Sequence, residues 1–168
     1  MERYTIAVLV RNKSGVLNRV TSMFRRRRFN IDCLTVSETE SPEYSRITVL
    51  FGGEENRKRQ LIDQLYKLPD VVSIEELHDE GAVSRELLLI KMGNDPETRA
   101  QVRDVATAFK AKTLDYTRDS VVMQVTGTTR KIDEFINLMR DFDILEICRT
   151  GVVSLARGKS TIRRVTNL

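Results

Sequence analysis

One order of hydrophobic periodicities runs through this chain twice, and it leaves few folds open. Residues 4–10 put Ile6, Val8 and Val10 on one strand face and Ala7 and Leu9 on the other, which predicts a strand buried on both faces and central in its sheet. After the turn Asn12-Lys13-Ser14-Gly15, the residues Val16, Val20, Met23 and Phe24 recur at helical spacing with Leu17 alongside, and this helix ends near Arg27. Residues 31–37 and 46–51 alternate and are rich in β-branched side chains; the polar stretch 38–44 between them makes an antiparallel hairpin. Gly52-Gly53 stops the second of these strands. Leu61, Ile62, Leu65 and Leu68 then mark a helix, Pro69-Asp70 breaks it, and residues 71–76 supply a last strand. The order is βαββαβ.

The same order restarts with residues 84–91, where Leu87, Leu88, Leu89 and Ile90 make a strand apolar on both faces. Asp95-Pro96 reads as an N-cap with proline at the first helical position, followed by Val102, Val105, Ala106 and Phe109 at i, i+3, i+4 and i+7. Residues 112–116 and 120–127 pair around Thr117-Arg118-Asp119, Ile132, Phe135, Ile136 and Met139 repeat the helical spacing, and residues 143–149 close the copy. A length of 168 residues fits two such units. The expected fold is α+β, two ferredoxin-like domains in tandem: 1–78, a linker 79–83, 84–150, and a basic tail 151–168.

Charge and composition narrow the function classes. The net charge of +4 gathers at one end: residues 1–80 hold 13 basic and 13 acidic side chains, residues 81–148 hold 10 and 11, and residues 149–168 hold 5 and 0. That tail, with Arg149, Arg157, Lys159, Arg163 and Arg164, could meet an acidic partner surface, a nucleic acid or only solvent. Arg25-Arg26-Arg27-Arg28 reads as a solvated helix end, where cations complement the helix dipole. The lone histidine, His78, sits in a polar stretch, so a multi-histidine metal site is excluded and His78 reads as a linker residue. Cys33 and Cys148 have no local partner, which fits a reducing cytoplasm. Apolar runs such as residues 7–10 fall far short of the roughly 20 residues that span a bilayer, and residues 1–4 enter a strand at once, so neither a membrane anchor nor a signal peptide is expected.

No Walker loop, nucleotide-binding glycine fingerprint or paired catalytic carboxylates can be found. What remains is the turn Asn12-Lys13-Ser14-Gly15-Val16-Leu17. A glycine stands there where helix N–H groups are still unpaired, a ready site for a carboxylate or phosphate, with the apolar Val16 and Leu17 beside it. The residues alone leave open a plainer reading, in which Ser14 caps the helix and Gly15 relieves the turn. An RNA-binding sheet would present stacking aromatics on its central strands. Residues 45–51 offer only Phe51, so nucleic acid is not an expected partner.

The string of residues 8–20, followed by Phe29-Asn30-Ile31-Asp32-Cys33-Leu34-Thr35-Val36, resembles an ACT domain, and more narrowly the small regulatory subunit of acetolactate synthase, also called acetohydroxyacid synthase. Ser45-Arg46-Ile47-Thr48, Arg85-Glu86-Leu87 and Arg149-Thr150-Gly151-Val152-Val153 extend the resemblance over nearly the whole chain. The resemblance implies a subunit in branched-chain amino acid biosynthesis that performs no chemistry. It would form a homodimer, activate a catalytic large subunit and confer feedback inhibition by valine. Thiamine diphosphate, Mg and FAD are expected in that partner and no cofactor in this chain. The implied valine site lies between two ACT domains, with Asn12, Gly15, Val16 and Leu17 of one chain facing Asn30 and Ile31 of the other. The alternative is a stand-alone amino-acid-sensing or nucleic-acid-binding module. One departure is Arg28, where the family usually has the glycine that ends the helix in a left-handed turn.

Overall fold

The computed structural model describes residues 2–162, so Arg163 and Arg164 of the basic tail lie outside the described residues. The described residues divide into two compact units, one formed by residues 2–84 with 152–162, the other by Arg85–Gly151. In the first, β1 (Glu2–Arg11), α1 (Val16–Arg26), β2 (Ile31–Glu38), β3 (Tyr44–Gly53), α2 (Glu55–Leu65) and β4 (Val71–Leu77) follow the expected order. The sheet runs β2-β3-β1-β4, all antiparallel, with Tyr4 opposite Phe51 and Arg11 opposite Tyr44. β1 is central, and residues 6–10 are buried on both faces. Gly52 and Gly53 are the last two residues of β3, so the strand ends at this pair as expected. A Cβ on Gly53 would stand 2.6 Å from the Phe29 ring, so close packing, not a turn, explains the glycine there.

Two layers cover this sheet. On one face Val16, Val20 and Phe24 of α1 and Leu61 and Leu65 of α2 bury Ile6, Val8, Ile47, Val49 and Phe51. On the other, the segment expected to be a basic tail contributes a strand, β9 (Val153–Ala156), and lies over Ala7 and Leu77 with Ala156 and Ile162. Its carbonyls accept from the sheet: Thr35 Oγ1 donates to Val152 O at 3.3 Å, Arg46 Nη2 to Ser154 O at 2.7 Å, and Ser73 Oγ to Ile162 O at 2.5 Å. The Val152 N–H donates to Cys33 Sγ at 3.1 Å. Residues 152–162 therefore satisfy polar groups of a sheet face that helices leave open.

The second unit repeats the plan with β5 (Ala82–Gly93), α3 (Arg99–Ala108), β6 (Lys112–Tyr116), β7 (Ser120–Gly127), α4 (Thr129–Met139) and β8 (Ile144–Arg149), in sheet order β6-β7-β5-β8. β5 begins two residues before the expected strand, inside the expected linker. Leu88, Ile90 and Met92 are buried against Val102, Phe135 and Met139, while Leu87 and Leu89 on the other face are only half-buried. Asp95 does not cap α3. Its Oδ1 accepts from the Glu97 N–H at 2.8 Å in a turn, and the helix starts one turn later, behind Thr98.

The repeat is also legible in detail. Asn12 and Asn94 each follow the first strand of their unit, and each donates its backbone N–H to the loop of the neighbouring hairpin, to Glu43 O at 2.7 Å and to Asp119 O at 3.1 Å. Sixteen residues on, Arg28 (φ 56°) and Lys110 (φ 57°) end α1 and α3 in the left-handed conformation. Around Arg28, Phe29 N donates to Phe24 O at 3.0 Å and Arg28 N to Arg25 O at 3.0 Å; around Lys110, Ala111 N donates to Ala106 O at 2.8 Å and Lys110 N to Thr107 O at 3.0 Å. Both ends are Schellman motifs without glycine. Arg28 thus accepts the backbone that glycine would hold more cheaply. Arg28→Gly and Lys110→Gly should each raise stability by about 0.5–1 kcal/mol, the left-handed strain less the entropy that glycine adds to the unfolded chain. Urea midpoints of the two variants check this.

Candidate functional site

The turn from β1 into α1 is held from three sides. Gly15 is the N-cap residue of α1 at φ 81° and ψ −6°, and no side chain caps it, so Ser14 does not play the capping part open to it from sequence. The first turn contains no acidic residue; Val16 N donates to Lys13 O at 3.3 Å and Arg19 N to Gly15 O at 3.1 Å, which leaves the Leu17 and Asn18 amides between them open. The turn therefore presents N–H groups at the positive end of a helix dipole with no carboxylate of its own to occupy them. Arg19 is anchored by Asp70, with Nη2 to Oδ2 at 2.5 Å, and the Arg11 N–H donates to Asp70 O at 2.9 Å.

Each expected site residue can now be located. Asn12 spends its side-chain amide on the β2–β3 loop, donating from Nδ2 to Glu38 Oε1 at 3.1 Å and to Pro42 O at 3.0 Å. The matching Asn94 Nδ2 donates to Thr117 O at 2.7 Å in the second unit. Asn12 thus fixes the loop beside the turn rather than offering its amide N–H groups outward. Val16 is 3% exposed and belongs to the core, so what it brings to the turn is its backbone. Leu17 is 40% exposed and stands at the surface. Asn30 is exposed just before β2, and Ile31 is half-buried opposite Phe51.

Within one chain these residues do not converge. Ile31 is level with Phe51 and Tyr4, whereas Asn12 follows the pair Arg11 and Tyr44 at the far end of β1. Seven strand steps of about 3.3 Å, roughly 23 Å, separate the two levels. β2, whose first residue is Ile31 and whose last is Glu38, is an edge strand with one side of its backbone unpaired. Glu38, Pro42 and Glu43, the partners of Asn12, were not evident from the sequence. The only signal was an asparagine in the same place after the first strand of each unit.

Other polar clusters have structural partners. Lys58, 3% exposed, places Nζ 2.5 Å from Glu76 Oε2 and 2.9 Å from Glu55 Oε2, and 4.5 Å over the Tyr4 ring. Burial works to lower the Lys58 ammonium, but the hydrogen bonds to Glu76 and Glu55 outweigh it and hold the group above its ordinary value. Stability from a raised lysine is fully present below about pH 10.4 and is lost as the pH rises through the folded value. The stability difference between the parent and Lys58→Met should therefore shift toward the variant at alkaline pH, as denaturation midpoints taken across that range would show. Glu86, 3% exposed, is gripped by Arg149, with Nε to Oε1 at 2.5 Å and Nη2 to Oε2 at 3.1 Å, and Arg149 Nη1 reaches Asp133 Oδ1 at 2.9 Å. Leu87 N and Thr150 Oγ1 (3.0 Å), with Thr150 N and Leu87 O (3.0 Å), close the same corner. Among the described residues no group of three or more His, Cys, Asp or Glu side chains could hold a metal ion, and no helix is long and apolar enough to cross a membrane.

Known proteins share this plan from end to end. Residues 6–73 match the family model of the AHAS small subunit-like ACT domain, and residues 85–158 match that of the small subunit of acetolactate synthase. The probable acetolactate synthase small subunit of Archaeoglobus fulgidus is 44% identical over 156 residues, covering 93% of this chain and 98% of that protein. The acetolactate synthase small subunit of Bacillus subtilis is 43% identical over 154 residues, 91% of this chain and 90% of its own. The crystal structure of the acetolactate synthase small subunit from Thermotoga maritima superposes with a TM-score of 0.87 at 34% identity, covering 95% of this chain and 100% of that one. The ion pair between Glu86 and Arg149 and the bonds between Leu87 and Thr150 join the very strings that carried the resemblance at the two ends of the second unit. By sequence along both units and by fold, the chain belongs to the acetolactate synthase small-subunit family.

Proposed function

We propose that this chain is a regulatory subunit that activates a catalytic large subunit of acetolactate synthase and makes it sensitive to valine, so that branched-chain amino acid synthesis is inhibited by its own product. Thiamine diphosphate, Mg and FAD belong, on this reading, to the catalytic partner, and the holoenzyme works in the cytoplasm. The observation that carries the reading is the turn at Gly15: left-handed, without a side-chain cap, and free of acidic residues. Its N–H groups suit the carboxylate of an amino acid, and the exposed Leu17 suits an apolar side chain.

The distance between the two halves of the expected site supports a dimer. If the free edges of β2 from two copies pair antiparallel, the start of one strand, with Asn30 and Ile31, meets the end of the other at Glu38. Asn12 ties that end to its own turn. One such pairing covers both open edges and completes two sites. A nucleic-acid role gains no support from the first unit, because residues 152–162 lie on the sheet face where bases would stack.

The test is reconstitution. Mixed with the catalytic large subunit, the chain should raise acetolactate formation, and valine should reverse the gain; absence of both effects would defeat the reading. Sedimentation should show a dimer at micromolar concentration, and a monomer with and without valine would defeat the shared site.

A further inference from the structure

The equivalence of the two helix ends exposes a difference in how the units are filled. In the first, Phe24 and Phe29 flank Arg28, and both rings pack edge-on against Phe51, with centroids 5.4 and 5.3 Å away. In the second, the residues in the same places around Lys110 are Ala106 and Ala111. Between α3 and the β6–β7 hairpin, where those two alanines lie, is a cavity of about 190 Å3. Val102, Val121 and Met123 complete its apolar floor. Close packing is the rule for protein interiors, so a gap of this size beside two alanines is a feature to be explained.

Its mouth is cationic. Arg99 and Arg103, one helical turn apart on α3, line it, and among the described residues neither has an ion-pair partner. The opposite wall is fixed: Tyr116 Oη donates to Asn94 Oδ1 at 3.3 Å, and Asn94 itself is 5% exposed. An apolar cavity of about 150 Å3 holds a benzene ring, so this one has room for a branched or aromatic group of similar size. Two guanidinium groups at the rim suit a carboxylate, which they can bind bidentately.

We propose that this cavity is a second small-molecule site, for an amphipathic monocarboxylate whose branched or aromatic group fills the alanine-lined floor and whose carboxylate bridges Arg99 and Arg103. The site is complete within one chain and does not depend on the valine reading.

The probe is 4-methylpentanoate, which has the carboxylate and the branched group but no ammonium. Titrated into the full chain and followed by amide and methyl resonances, it should shift Ala106, Ala111, Val121 and Met123 with saturation. Arg99→Gln with Arg103→Gln, two exposed changes that leave the core untouched, should weaken binding at least about tenfold. The neutral 4-methylpentanamide should bind as poorly to the parent. Ala106→Leu should block the probe by filling the floor. The proposal is overturned if the probe causes no saturable shift at these residues, or if the glutamine pair or the amide binds equally well.

Discussion

Arg149→Met should cost the second unit most of its stability. The guanidinium is the cation beside Glu86, whose side chain is 3% exposed, and it contacts both carboxylate oxygens. Removing it leaves a buried carboxylate without a counter-charge, and breaking a buried pair in this way costs about 3–5 kcal/mol. At roughly 0.05–0.15 kcal/mol per residue, a unit of this size has only a few kcal/mol to lose. The pair is worth much less than that penalty when both partners go, because two charges no longer have to be desolvated. Glu86→Gln in the Arg149→Met background should therefore restore most of the loss. Amide hydrogen exchange along β5 and β7 in the full chain reads the effect, and an Arg149→Met protein within about 1 kcal/mol of the parent would refute it.

How much of this was legible in the chain depended on how far apart the cooperating residues lie. Period-two and helical spacings are local, so the order of strands and helices, the central place of β1 and the buried faces of the helices could all be read directly. Glu86 and Arg149 are 63 residues apart. Each looked like an ordinary charged residue in its own string, and only the β5–β8 pairing makes them a buried ion pair. The cover formed by residues 152–162 was missed for a related reason. Val153 and Leu155 alternate over too short a stretch to stand out in a basic segment, and the need for a cover arises from Ala7 and Leu77 far upstream. At the candidate site the turn chemistry around Gly15 was visible, but the roles were not. Val16 points into the core, and Asn12 is engaged with a loop 26 to 30 residues away, neither of which a local pattern encodes.

Gly15→Asp should abolish valine inhibition of the reconstituted enzyme while leaving its activation in place. The substitution is informative because the turn has room for it. A Cβ at Gly15 would meet only Arg19 Nη1, at 3.8 Å, and aspartate is among the few residues that adopt the left-handed conformation that φ 81° requires. The fold should therefore survive. What changes is the charge: a carboxylate now sits on the uncapped N–H groups and repels the carboxylate of the effector. Repelled or unpaired charge at a partly buried site costs about 2–5 kcal/mol, enough to weaken binding at least about tenfold. Asn30→Ala should weaken valine as well, from the partner's side of the site, by removing an exposed amide before β2. A ligand shifts an equilibrium only by its differential affinity for the two states, so an enzyme that cannot bind valine keeps the state that valine would have disfavoured. The assay is a valine titration of holoenzyme reconstituted with each variant. An unmoved inhibition curve for Gly15→Asp would remove the turn from the site. Loss of activation together with inhibition would assign Gly15 to the fold alone.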